Sequence, residues 1–167
     1  ATLSRLIGKR YKVLLIEKRG FGNNRVKSSY KCCGGLIAPD AQLMLAKFGL
    51  GIPKSVLLSP QLFAVRTIDI DNSMEKYYQR NYINIDREEF DKWLLSIVPD
   101  DVKIMYEAIF NSYKIVNDSL EVKINYKNTE IIEKTKLLIA ADGANSKIRR
   151  KNFQNFVFPK TYITIQE

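Results

Sequence analysis

Apolar residues in this chain recur every three or four positions in some segments and run together or alternate in others, which separates predicted helices from predicted strands. Leu3, Leu6 and Ile7 share one helical face, so the sequence opens inside a helix that Gly8, Lys9 and Arg10 close. Residues 12–16, Lys-Val-Leu-Leu-Ile, form a short continuous apolar run with β-branched members, the pattern of a buried strand in a parallel sheet, and Glu17 ends it. Residues 18–35 are polar and glycine-containing and are expected to form a loop. A helix is expected over 38–47, entered through Pro39 and Asp40 and stopped at Gly49.

Further along, residues 62–70 and 77–85 predict two strands paired across Asp71-Asn72-Ser73. Asp86 is placed to cap a helix with Glu88 and Glu89 in its first turn, Phe90, Trp93, Leu94 and Ile97 on one face, and Pro99 as its stop. Residues 102–106 predict another strand. Residues 108–116, 120–126 and 130–136 are separated by Asn117-Asp118-Ser119 and Lys127-Asn128-Thr129, an antiparallel meander in pattern. The apolar run Leu137-Leu138-Ile139-Ala140-Ala141 is then expected as a buried strand ending at Asp142-Gly143, with a helix over 144–149. From Pro159 onward a further strand is expected to begin.

Composition narrows the classes. With 167 residues, 46% of them hydrophobic, the chain can bury a substantial core, and its length predicts a single domain. The only cysteines, Cys32 and Cys33, are sequence neighbours, too close for an ordinary disulfide, so a reducing, cytoplasmic setting is expected. No apolar stretch approaches the ~20 residues of a membrane-spanning helix. The net charge of +9 is spread along the chain and dense only at Lys147-Ile148-Arg149-Arg150-Lys151. That distribution speaks against a nucleic-acid partner and leaves room for an anionic cofactor or peripheral contact with a membrane surface. The absence of histidine removes His-based triads, His-containing zinc sites and histidine acid–base catalysis, and no metal site is expected.

Helix, buried strand and terminal acid are half of a dinucleotide-binding unit. In the full fingerprint a G-x-G-x-x-G loop opens the helix, and an acid about 20 residues on bonds the ribose hydroxyls. A last glycine immediately before Ala1 would put the first about 22 residues ahead of Glu17, in keeping with that spacing. Glu17 is alternatively an ordinary solvated carboxylate, and Asp142-Gly143 an ordinary turn. As a ligand site, Gly143 would let backbone approach a phosphate without an intervening Cβ, at the carboxyl end of a strand.

Four stretches carry a resemblance to a known family: residues 1–19; Arg-Glu-Glu-Phe-Asp-Lys-Trp-Leu-Leu from Arg87; Leu-Leu-Ile-Ala-Ala-Asp-Gly-Ala-Asn-Ser-Lys-Ile-Arg from Leu137; and Lys31-Cys32-Cys33-Gly34-Gly35. Together they resemble the para-hydroxybenzoate-hydroxylase superfamily of FAD-dependent oxidoreductases, and within it the geranylgeranyl-reductase-like group. The resemblance implies an α/β, Rossmann-type FAD-binding domain over 1–167, incomplete at both ends, with an antiparallel crossover meander and, at about 55–85, the beginning of a substrate-domain sheet. It implies that Glu17 binds the adenosine ribose with Lys18 and Arg19 beside the adenylate. Arg87 would reach the flavin side of the cofactor, Asp142 and Gly143 would line the pyrophosphate, and Cys33, Gly34 and Gly35 would lie near the isoalloxazine. Cys33 is the catalytic candidate, as a thiol tuning the flavin or donating a proton; the alternative is that Cys32 or Cys33 packs as a small hydrophobe. The implied activity is hydride transfer from NAD(P)H through FAD to an unsaturated, isoprenoid-like and hence lipid-like small molecule. An aromatic hydroxylase and a non-catalytic nucleotide-binding or basic interaction module are the alternatives. The family's glycine loop and later Gly-Asp motif fall outside the chain as written, so weak FAD binding and inactivity of this stretch alone are expected.

Overall fold

The computed structural model describes residues 1–21, 33–153, 160 and 162. Its contacts divide the chain into two units, one formed by Ala1–Val13 and Val26–Val102, the other by Leu14–Arg25 and Lys103–Glu167. The fold is mixed α/β, with parallel and antiparallel sheets.

The first unit opens with α1 (Thr2–Ile7). At its end Gly8 is buried, and a Cβ there would stand 2.4 Å from the Val102 side chain. A three-stranded antiparallel sheet follows in the order β2 (Leu36–Ile37), β4 (Met74–Asn84), β3 (Leu62–Asp69). Helix α2 (Pro39–Lys47) starts at Pro39, whose preset φ and missing N–H suit a first helical position. Helix α3 (Arg87–Ser96) is capped as its sequence predicts, with Asp86 Oδ1 accepting from the N–H groups of Glu88 (2.8 Å) and Glu89 (3.0 Å). Ile37, Val56 and Ile85 form the buried centre, and Leu45, Ile52, Ile83, Phe90 and Trp93 pack around it. Val56 and Ile85 are almost fully enclosed, each a gain of roughly 1.5–3 kcal/mol from burial.

The second unit pairs β1 (Leu14–Glu17) with β5 (Lys103–Tyr106) in parallel, Leu14 opposite Lys103 and Glu17 opposite Tyr106. The expected meander is present as β6 (Ala108–Val116), β7 (Ser119–Tyr126) and β8 (Thr129–Thr135). Its turns have two central residues each, Asn117-Asp118 and Lys127-Asn128, all four at positive φ. This is the type I′ geometry that matches strand twist, at residues of which three are Asn or Asp. Inward-facing Val122 and Ile124 join Met105 and Ala108 in a second core, against which Leu14 and Ile16 of β1 pack. The outward face carries ion pairs, including Lys114 and Lys134 flanking Glu121.

One expected element is absent. Leu137-Leu138-Ile139-Ala140-Ala141 is assigned to no strand, and Leu137 is 70% exposed. A strand needs a ladder partner, and among the described residues none pairs with this run. Only Leu138 reaches the core. The helix expected over 144–149 lies later, as α4 (Lys147–Asn152). The expected strand beyond Pro159 lies outside the described residues.

Candidate functional site

Glu17 and Tyr106 end two parallel strands side by side, and the space beyond such carboxyl ends is where open α/β sheets bind ligands. Glu17 is closely held by the turn that follows it. Its Oε1 accepts from the backbone N–H of Arg19 at 3.0 Å and from Arg19 Nε at 3.2 Å, and Oε2 accepts from Arg19 Nη2 at 3.3 Å. Lys18, between them, is exposed and has no side-chain partner among the described residues. The Arg19 guanidinium lies over the Phe21 ring, 5.1 Å from its centroid. Phe21 in turn meets Tyr106 edge-on, ring centroids 5.7 Å apart. Behind the turn, Gly20 presses on Glu107, since a Cβ there would come 2.8 Å from Glu107 Oε1. Sequence reading missed Phe21 and Tyr106, because the register that sets Tyr106 beside Glu17 is a long-range pairing with no local signal.

Asp142 and Gly143 lie in the same unit, on the loop before α4. Gly143 has φ +85, and no atom stands within 4 Å of where its Cβ would be. The backbone at Gly143 is thus in a left-handed conformation and open to its surroundings on that side. The Asp142 carboxylate is turned to the protein, with Oδ2 accepting from Lys147 N–H at 2.9 Å. Partial burial works to raise its carboxyl pKa, but hydrogen bonds from the Ser146 hydroxyl and backbone N–H groups outweigh this and hold it below the ordinary value. Buried Ser146 caps α4 through Arg149 N–H at 3.0 Å. The basic cluster is used in holding this loop: Arg149 donates to the Ala144 carbonyl and Arg150 to that of Asn145, at 2.9 Å for the latter. Lys151 donates to the Tyr113 carbonyl at 2.7 Å and lies over its ring.

The remaining candidates are in the first unit. Gly35 has φ +67 and is bonded through its carbonyl to Ile85 N–H at 2.8 Å. A Cβ on it would stand 2.1 Å from the Ile85 carbonyl oxygen, so its glycine character is required by the fold itself. Gly34 is exposed and nothing lies within 4 Å of its Cβ position. Cys33 is an exposed free thiol; Lys31 and Cys32 lie outside the described residues, and with them the alternative that Cys32 packs as a small hydrophobe. Gly35 thus sits against the entry to α3, where Arg87 follows two residues after Ile85. Arg87 Nη1 donates to Asp91, and its guanidinium lies 5.8 Å from the Phe90 ring centroid. The Arg87 side chain is partly exposed, and the bond to Asp91 uses Nη1.

A cavity of about 520 Å³ in the same unit is lined mainly by apolar side chains, among them Leu45, Leu50, Ile52, Phe63 and Ile83. The sequence did not signal it, because its walls come from α2, the segment after it, and both long strands. Among the described residues no helix is long and apolar enough to cross a membrane, and no three His, Cys, Asp or Glu side chains gather as metal ligands.

The architecture defines a class. It is the fold found in the FAD-binding part of flavoproteins, shared with a geranylgeranyl bacteriochlorophyll reductase-like protein from Thermoplasma acidophilum at a TM-score of 0.67 and 20% identity, over 85% of this chain and 36% of that one. PqsL, a probable FAD-dependent monooxygenase from Pseudomonas aeruginosa, matches at a TM-score of 0.63 and 16% identity over 96% of this chain and 44% of its own. In sequence, the chain is 35% identical over all 167 residues to the protein CbrA of Escherichia coli K12, and it spans 46% of that protein. It therefore covers less than half the length of the curated relatives it matches. No family model matches.

Proposed function

We propose that this chain is the FAD-binding part of a flavin-dependent oxidoreductase of the geranylgeranyl-reductase-like group. The observation that carries the reading is Glu17, an acid at the carboxyl end of a parallel strand pair in a fold shared with flavoproteins. Glu17 accepts from the adenosine ribose, with Lys18 and Arg19 beside it. Gly143 presents backbone to the pyrophosphate, and Asp142 holds that loop to α4 instead of facing the phosphates. Arg87 offers Nε and Nη2 to the flavin side of the cofactor as charge-assisted donors. Gly34 leaves room for a flat ring, and Cys33 is the thiol on the substrate side. Bound FAD would supply hydride acceptance from NAD(P)H and hydride delivery to substrate. The chain's own residues bind and orient it.

A small, apolar, isoprenoid-like molecule is the proposed substrate. It is supported by the Cys33-Gly34-Gly35 loop and by the apolar cavity, whose volume lies in the range of small-ligand sites. Residues 55–85, including β3 and β4, are proposed to begin a substrate domain, in a cytoplasmic protein that meets membranes at most peripherally. The likeness to PqsL favours a second reading, a monooxygenase in which the reduced cofactor passes electrons to oxygen.

Titration with FAD tests the first level: the expected result is weak but saturable binding, seen as a perturbed flavin spectrum and a raised Tm. Protein whose Tm and flavin spectrum do not respond even to a large excess of FAD would defeat the cofactor reading. Anaerobic reduction by NADH or NADPH, followed by an allylic isoprenoid or by oxygen and an aromatic, separates reductase from monooxygenase.

A further inference from the structure

The turn after β1 carries two adjacent cations that are held in opposite ways. Lys18 is exposed, whereas the Arg19 side chain is only 12% exposed and that of Glu17 24%. Arg19 is held from two directions. Three of its N–H donors converge on the Glu17 carboxylate, two of them from the planar fork. The flat face of the guanidinium lies on Phe21, which Tyr106 braces edge-on, and Tyr106 is the strand neighbour of Glu17. Glu17, Arg19, Phe21 and Tyr106 thus close a ring of contacts around the end of β1. A carboxylate at a strand end otherwise has several rotamers of similar energy, and binding a diol with it would require their restriction. Here that restriction is already in place, which is what preorganisation contributes to affinity.

We propose that Arg19 is a positioning residue: it fixes the Glu17 carboxylate for a vicinal ribose diol and does not itself take the phosphates of the ligand. This rests on the reading of Glu17 as an adenosine-ribose acceptor. It differs from the role implied by family resemblance, in which both cations lie beside the adenylate. A residue that acts only through Glu17 has no effect once Glu17 can no longer serve.

Calorimetric titration of the purified protein with ADP tests this through a double-mutant cycle. Glu17→Gln is expected to weaken ADP binding roughly tenfold or more, the usual effect of losing hydrogen bonds to a charged group. Arg19→Gln should weaken it by a similar factor, and Arg19→Gln in the Glu17→Gln background should change it less than about twofold. Equal losses from Arg19→Gln in both backgrounds would overturn the proposal, because Arg19 would then meet the ligand directly. Should either Gln variant fail to fold, Arg19→Lys carries the test on the ligand side. It should weaken binding of ADP but leave 2′,3′-dideoxy-ADP unchanged, and an equal loss for both overturns the proposal. Wild-type protein that binds neither ADP nor FAD defeats the adenosine reading and the proposal with it, whereas binding with additive losses defeats the proposal alone.

Discussion

Two adjacent glycines should respond in opposite ways to the same added methyl group. At Gly35 an alanine would have to keep φ near +67, which costs an L-residue about 1–2 kcal/mol. Its Cβ would also stand 2.1 Å from the Ile85 carbonyl oxygen, more than an ångström inside contact, and that oxygen belongs to the backbone and has no rotamer by which to retreat. Relief requires β2 to move away, which strains the Gly35–Ile85 hydrogen bond and loosens the core at Ile37, Val56 and Ile85. Overpacking of this kind costs about 1–3 kcal/mol and the lost bond about 0.5–1.5 kcal/mol. The sum for Gly35→Ala is roughly 2.5–6.5 kcal/mol, a large fraction of the ~5–15 kcal/mol that stabilises a typical domain. Gly34→Ala meets open space and should change stability by no more than about 1 kcal/mol in either direction, with a gain where the unfolded chain loses entropy. Urea unfolding followed by the fluorescence of Trp93, the only tryptophan and a neighbour of that core, reads both. An unchanged midpoint and slope for Gly35→Ala would refute the steric argument. If Gly34 instead proves the costly position, the assignment of structural and open glycine is reversed.

Other outcomes follow from the capping and charge geometry. Asp86→Ala removes the acceptor for two N–H groups at the start of α3 and should cost about 0.5–2 kcal/mol in the same urea assay. Arg87→Gln breaks one i,i+4 pair and should change stability by only about 0.3–0.5 kcal/mol, while FAD affinity, measured by flavin fluorescence, falls by roughly tenfold. Equal FAD affinity for both proteins would confine Arg87 to its pair with Asp91. The Asp142 carboxyl is held below its ordinary value of 3.8, so its contribution to stability is complete above that pH and is lost as pH falls through the lower folded value. The stability difference between wild type and Asp142→Asn, followed by thermal unfolding from pH 7 to pH 2.5, should therefore shrink below about pH 4. A difference that stays constant across that range would contradict the assigned hydrogen bonds.

Locally encoded features were the readable ones. The Asp86 cap, the Pro39 start of α2 and both meander turns follow from side chains that bond or bend their own neighbourhood, and all four are found where the pattern puts them. Leu137–Ala141 shows where such reading stops. Its apolar run states a demand for burial, but whether a strand forms depends on a partner elsewhere in the chain. For the site, the residue types at Glu17, Asp142 and Gly143 pointed to a ligand, yet their surroundings did not follow from type. The carboxylate of Asp142 turns to α4, and the partner of Glu17 is the arginine two residues on. Gly34 and Gly35 look alike in sequence and differ because only one of them lies against Ile85.

The parallel pairing of β1 with β5 has a consequence for the order of folding. Each turn of the meander joins strands through two residues, so β6, β7 and β8 can zip together on the microsecond scale of hairpins. Leu14 reaches Lys103 only after nearly all of the first unit has been synthesised between them, and closing so long a loop delays the contact. The meander is expected to form first and β1 to pair with β5 late. Glu17 would then be placed by one of the last native contacts to form, and substitution of Ile16 should speed unfolding more than it slows folding.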